Sequence, residues 1–298
     1  MKPAVSVIVP VFSRADTIGR ALESVLSQTF SDYEIVVVDD GSTDDTCRII
    51  EQIQTDRLTL IRHASNRGPA AARNTAINAS RGRWIAFLDS DDAWRPEKLE
   101  RQVAILDKAA ANIAACATGF CLHRDGRAFE VNQDIPPDRF RRDILFGCTI
   151  SPGSTLMVDR AAFDKIGLFD EQMLRLEDWD WLLRFSEQFN IAFDPAPLAD
   201  IYQADPTGRN SSGDPDAVFD AIRRIEEKHL PRLPLAARKR QLRSSLLVES
   251  AGVYYRRGQS LRAAGCVLAS FLFFPMRNAA FFSMLWRSGT SVLRPRRP

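Results

Sequence analysis

Trp84-Ile-Ala-Phe-Leu-Asp-Ser-Asp-Asp-Ala-Trp94 is an apolar run that ends abruptly in Asp89, Asp91 and Asp92. Ile85 to Leu88 has the pattern of a strand buried on both faces, and open α/β sheets receive their ligands at the C-terminal ends of such strands. Three acids so close repel one another unless a cation offsets them, and hard divalent ions such as Mg2+ or Mn2+ take oxygen ligands. The same tetrad also stands just ahead of Pro96-Glu-Lys98, where Ser and Asp serve as helix caps. From this stretch alone, metal site and cap are both open.

Towards the N-terminus the chain repeats one unit. Val5–Val9 reads as a strand ended by Pro10, and Ile18, Ala21, Leu22, Val25 and Leu26 recur at helical spacing. Glu34–Asp39 is a second strand, followed by Ser42-x-x-Asp45, which resembles a capping box. Leu58–Ile61 is a third, and Asn66-Arg-Gly-Pro69 opens an Ala-rich helix. Four strands separated by helices predict a parallel, doubly wound sheet, with Pro10, Asp39-Asp40, His63 and Asp89 along one rim.

Towards the C-terminus the pattern changes. Ile113–Leu122 and Ala128–Val131, turning at Asp125-Gly126, read as a hairpin. A short strand at Thr155–Val158, helices at Arg160–Ile166 and Trp179–Gln188, and weak strands at Ile191–Phe193 and Ile201–Gln203 follow. Asp205 to Pro215 is a polar loop or linker, and beyond it come helices over Pro215–Leu230, Leu235–Arg257, Ser260–Phe274 and Arg277–Arg287. The apolar runs Ala263–Phe274 and Ala279–Trp286 each fall short of the roughly 20 residues of a membrane span, so a helical hairpin and an interfacial anchor are the two readings of this tail.

With 298 residues, 45% hydrophobic and 26% charged, the chain can bury a sizeable core and is not of the disordered class. Five cysteines without a Cys-x-x-Cys and only three histidines suggest neither a disulfide framework nor a zinc site, and a reducing cytosol fits them. The opening residues read as a strand rather than a signal peptide. The net charge of +2 hides an asymmetry: from Arg223 onward 16 Lys/Arg face three acids, +13 against −11 for the rest. Such a tail suits nucleic acid, anionic lipid or an acidic partner, and charge alone does not choose among them.

Four segments share the predicted rim: Val-Ser-Val-Ile-Val-Pro-Val-Phe12, Ile-Val-Val-Val-Asp-Asp40-Gly-Ser-Thr-Asp, Asn-Arg-Gly68-Pro-Ala-Ala-Ala-Arg73-Asn and Phe-Leu-Asp89-Ser-Asp-Asp92. In order and spacing they resemble the family 2 glycosyltransferases of the GT-A fold. Phe169-Asp-Glu followed by Glu177-Asp178 resembles the family's acceptor-side motif, and the likeness covers about residues 3–200. It implies a Rossmann-like mixed α/β sheet flanked by helices: a catalytic domain over 1–204, divided into a nucleotide-binding half (1–110) and an acceptor-side half (111–204), a linker at 205–215 and a basic helical extension at 216–298. The activity implied is inverting, metal-dependent transfer of a sugar from a nucleotide sugar, UDP-linked by the resemblance, to a hydroxyl of a saccharide or glycolipid, as in cell-surface polysaccharide synthesis. A nucleotidyltransferase and a non-catalytic binding module with a partner-recruiting tail are the alternatives.

The resemblance places Asp178 as the base that takes the acceptor proton, with Glu177 orienting acceptor or donor sugar. Asp91 is the metal ligand, Asp89 lies near ribose or metal, and Ser90 meets the nucleotide through its backbone. Asp92 would share the metal or cap the following helix, the cap being preferred. Asp40 would recognise the base, Pro10 and Phe12 would line its pocket, Gly68 would let the chain pass close to the nucleotide, and Arg73 would pair with phosphate or with a rim acid. Mg2+ or Mn2+ is the expected cofactor. The expected partners are the nucleotide sugar, the acceptor and, through the basic helices, the anionic inner face of the membrane, with no nucleic acid. Trp179 and Trp181 read as core indoles, and the histidines as structural or solvated.

Overall fold

The structure is a computed structural model that describes residues 2–124, 126–203 and 215–274. The turn residue Asp125, the loop 205–214 and everything after Phe274, including the expected helix Arg277–Arg287, lie outside the described residues. The chain divides into two compact units.

The first unit, residues 1–140, 150–172 and 184–210, is built on one nine-stranded sheet. Its opening half alternates strand and helix: β1 (Val5–Val11), α1 (Ile18–Leu26), β2 (Tyr33–Asp39), α2 (Thr46–Glu51), β3 (Leu58–Arg62), α3 (Pro69–Ala79) and β4 (Trp84–Phe87). These four strands pair in parallel in the order β3-β2-β1-β4. The remainder is β5 (Ala93–Trp94), α4 (Lys98–Leu106), β6 (Ile113–Arg124), β7 (Arg127–Val131), α5 (Pro137–Asp143), α6 (Pro152–Thr155), β8 (Met157–Asp159), α7 (Arg160–Ile166), α8 (Glu177–Gln188) and β9 (Asn190–Tyr202); α5 and α8 each run from one unit into the other. The sheet continues from β4 through β8, β6 and β9 to β5, with β7 on the edge of β6. Since β8 runs antiparallel to both β4 and β6, the sheet is mixed, as expected.

Continuous apolar runs make the central strands. Val5, Val7, Ile8, Val9, Ile35, Val37, Val38, Ile85 and Ala86 are fully buried, and each large aliphatic side chain so placed contributes about 1.5–3 kcal/mol. Helix α1 turns Ile18, Ala21, Leu22 and Val25 onto this layer.

Three expectations need correction. Pro10 does not end the first strand: β1 runs on to Val11, with Pro10 opposite Val38. The Ser42-x-x-Asp45 capping box does not form; Ser42 Oγ accepts from Ser13 N (2.8 Å), and α2 starts at Thr46 without a side-chain cap. The two weak C-terminal strands are one, β9, held along its length by β6. Its interruptions are absorbed by irregular register around Thr118-Gly119, where a Cβ on Gly119 would meet the Pro195 carbonyl oxygen at 2.5 Å.

The second unit comprises residues 141–149, 173–183 and 211–298. Its described helices beyond α8 are α9 (Pro215–His229), α10 (Ala236–Arg256) and α11 (Ser260–Phe273), close to the helical spacing of the sequence. Gly258, at φ 73°, makes the tight turn that folds α11 back on α10, where Ser244 Oγ donates to Ser270 O (2.8 Å). Trp179 is buried and donates from its indole to Ile144 O (2.7 Å), so this indole belongs to the core, as does the buried Trp181. No helix among the described residues is long and apolar enough to cross a membrane.

Candidate functional site

Parallel pairing sets the C-terminal ends of β1–β4 side by side, and short bonds knit the loops that leave them. Asp40 N donates to Val11 O and His63 N to Asp39 O, both at 2.8 Å. Asp39 accepts from Ser42 N and makes the turn. Asp40 is buried, and both its oxygens are engaged: Oδ1 with His63 Nδ1 (2.7 Å) and Arg67 N (3.0 Å), Oδ2 with Gly68 N (2.7 Å) and Arg67 N (3.0 Å). This carboxylate therefore holds the 66–68 turn in place. Gly68, at φ 91°, is in a conformation that L side chains rarely adopt, and Pro69 begins α3 immediately after it. Pro10 is half-buried, whereas Phe12 is 40% exposed at the end of β1, which leaves its ring on the rim.

The acidic tetrad forms a turn closed by Asp92 N donating to Asp89 O (3.0 Å), with Ser90, buried, and Asp91 at its centre. Arg73, at 9% side-chain exposure, donates to Asp89 Oδ1 (2.9 Å), so the rim acid is its partner here. Arg14 Nε lies 3.8 Å from Asp91 Oδ2, and Arg20 donates to the Asp91 carbonyl.

Asp92 is not a helix cap. It is buried, its Oδ2 accepts from Ser154 Oγ and its Oδ1 accepts from Tyr202 N (3.0 Å). Helix α4 has Glu97 at its N-cap and no side-chain cap bond. Burial, then the Asp89 charge, raises Asp91 above the usual carboxylate range, and the same causes push Asp92 well above it.

Residues far from the tetrad in sequence complete its support. Ser154 Oγ also accepts from Asp89 N (3.1 Å), and a Cβ on Gly153 would collide with Asp89 Oδ2. Ser154, Gly153, Tyr202, Arg14 and Arg20 were not singled out from sequence for this rim. The small-residue turn Ser151-Pro-Gly-Ser154 was the one local signal for any of them.

The donor set fits a hard divalent cation. Asp89 and Asp91 keep 38% and 28% of their side chains exposed, the Asp89 charge disfavours that of Asp91, and Arg14 stands only at the edge of ion-pair distance.

Glu177 and Asp178 belong to the second unit, where they occupy the first turn of α8 after Leu176 at φ 58°. Glu177 is buried, and Asp178 Oδ1 accepts from Trp179 N (2.7 Å). Asp180, fully buried, pairs with His229 Nε2 (3.0 Å) and Lys228 Nζ (3.3 Å).

The family model for glycosyl transferase family 2 matches residues 6–167, and the chain belongs to that family. Over 112 residues it is 49% identical to the succinoglycan biosynthesis protein ExoO of Rhizobium meliloti (strain 1021), covering 38% of this chain and 32% of that protein. It is 44% identical over 103 residues to WfaP of Escherichia coli, a UDP-Glc:alpha-D-GlcNAc-diphosphoundecaprenol beta-1,3-glucosyltransferase, covering 35% of this chain and 41% of that protein. The alignments thus take in less than half the length of either relative. The crystal structure of S. aureus TarS 1–349 in complex with UDP-GlcNAc superposes with a TM-score of 0.64 at 20% identity, over 97% of this chain and 92% of that one. The fold is that of the GT-A glycosyltransferases.

Proposed function

We propose that the protein is an inverting, metal-dependent glycosyltransferase that moves a sugar from a nucleotide sugar, UDP-linked, to a hydroxyl of a saccharide or glycolipid acceptor. The observation that carries this reading is the gathering of Phe12, Asp40, Gly68, Arg73, Asp89 and Asp91 at the C-terminal ends of β1–β4. Family membership supports it, as do the UDP-Glc in the name of WfaP and the UDP-GlcNAc of the TarS complex. All the site residues fall within residues 1–204, proposed as the catalytic part of the chain, and the basic helices from 216 onward are its extension.

Pro10 and Phe12 would flank the base, Asp40 would exchange one of its bonds to the 66–68 turn for the uracil N3–H, and Gly68 would let the backbone come close to the nucleotide. Asp91 and Asp89 would hold Mg2+ or Mn2+, which supplies Lewis-acid assistance to a leaving diphosphate. Arg73, already paired with Asp89, would keep that acid oriented and share in offsetting phosphate charge. In the transfer, the acceptor oxygen forms its bond to the anomeric carbon while the bond from that carbon to the diphosphate breaks. Asp178 takes the hydroxyl proton and UDP departs with the diphosphate charge. Glu177 would orient the sugar.

The donor assignment is tested by thermal unfolding with UDP-, GDP- and dTDP-sugars, with and without Mn2+. A UDP-sugar with metal should raise the midpoint most, because a ligand of the native state stabilises it. Stabilisation by none of them would overturn the assignment.

Contact with an anionic membrane is the further part of the proposal. Leu261, Leu268 and Leu272 are 92%, 67% and 86% exposed on α11, and the tail is strongly basic. Flotation of the full chain with vesicles should recover more protein on anionic than on neutral lipid at low salt, and equal recovery would sink the electrostatic contribution.

A further inference from the structure

We infer that the first unit carries a second metal site, built from Cys121, His123 and Asp200, that takes a borderline-soft cation of the Zn2+ class and is separate from the oxygen ligands of the acidic turn. The thiol, an imidazole nitrogen and a carboxylate oxygen all lie within 4.8 Å of one another.

Strand geometry makes the cluster. Cys121 and His123 are two residues apart on β6 and share a face, and Asp200 of β9 is the register partner of Cys121. His123 Nε2 and Asp200 Oδ1 are 2.8 Å apart. Around a tetrahedral zinc, with bonds of about 2.0–2.3 Å, neighbouring ligand atoms sit roughly 3.3–3.7 Å apart, so the three groups need only small side-chain shifts and leave a fourth position for water. Sulfur and nitrogen donors select against Mg2+ and Ca2+.

The surrounding charges are Glu130 and Arg95. Glu130 on β7 is the register partner of Cys121 on its other side, which places another carboxylate near the thiol. Burial, then the Asp200 and Glu130 charges, push that thiol up; a cation reverses the balance, and the thiol proton passes to solvent as the metal–sulfur bond forms. Arg95 Nη2 lies 3.3 Å from Asp200 Oδ1 and competes with a cation, but its side chain is 43% exposed and can turn into water.

The site stands at the root of the acidic turn. Tyr202, two residues beyond Asp200, donates its N–H to Asp92. The Tyr202 ring stacks on His123 at 4.5 Å, and the Arg20 guanidinium lies 3.7 Å from the same ring. Metal at Cys121, His123 and Asp200 would brace the strand end that holds Asp92.

The test is a Co2+ titration of the full chain, reduced and stripped of metal, in excess Mg2+ to fill the oxygen site. The expected result is one Co2+ per chain with a thiolate-to-cobalt charge-transfer band in the near ultraviolet, displaced by Zn2+. Cys121→Ser should abolish the band, His123→Ala should weaken binding by about tenfold or more, and Arg95→Ala should tighten it. Absence of the band in the unaltered protein would overturn the site. So would its persistence in Cys121→Ser, which would assign the thiolate to Cys47, Cys116, Cys148 or Cys266. Should Cys121→Ser lose its fold by circular dichroism, His123→Ala and Asp200→Asn decide, and unchanged cobalt affinity in both overturns the site.

Discussion

Asp89-Ser-Asp-Asp92 and Glu177-Asp178 look alike on paper, as acids written where a helix begins, yet the structure uses them in opposite ways. The first cluster takes no part in capping α4: Arg73, Ser154 and Tyr202 hold it instead, and burial, then the Asp89 charge, raises Asp91 and Asp92 above the usual carboxylate range. The second lies within the first turn of α8, where backbone N–H groups and the positive end of the helix favour carboxylate anions. Acids held apart from a helix and crowded together suit a cation. The acids in the first turn of α8 instead meet backbone N–H groups that have no partner within the helix.

The sharpest way to break this comparison is Asp178→Asn. It should cut transfer by about 10²–10⁴-fold while metal-dependent UDP binding, read by calorimetry, stays near that of the unaltered protein. Unchanged transfer would remove Asp178 from the base role. Asp91→Asn should do the reverse, lowering Mn2+ affinity by ~10–100-fold and carrying UDP binding down with it; retention of both would shift the ligand role to Asp89 or Asp92. Ser154→Ala comes next. By unpairing Asp92 Oδ2 and Asp89 N it should cost about 1–3 kcal/mol in urea unfolding, and a neutral result would show that this turn needs no support from Ser154.

Much of the fold was legible because it rests on local pattern. Uninterrupted runs such as Val5–Val9 and Trp84–Phe87 admit few readings besides buried strand, and the helical spacing after Ser260 required only neighbours a turn apart. β9 was harder: Asp194, Pro195, Pro197 and Asp200 break its apolar pattern into two pieces, and only pairing with β6 joins them. The rim was legible as a set of loops at strand ends, which is why Asp40, Gly68, Arg73, Asp89 and Asp91 were found together.

By itself, the sequence determined the central parallel strands, most helices and the residue types on the rim, since periodicity and turn chemistry act over a few residues. The tertiary structure alone decided what each polar group touches. Asp92 reads as a cap until Ser154, 62 residues on, and Tyr202, 110 residues on, are seen to hold it. His123 reads as structural or solvated until β9 brings Asp200 to its ring. A buried carboxylate or imidazole must find a partner, and which one it finds is set by strand register between segments distant in the chain.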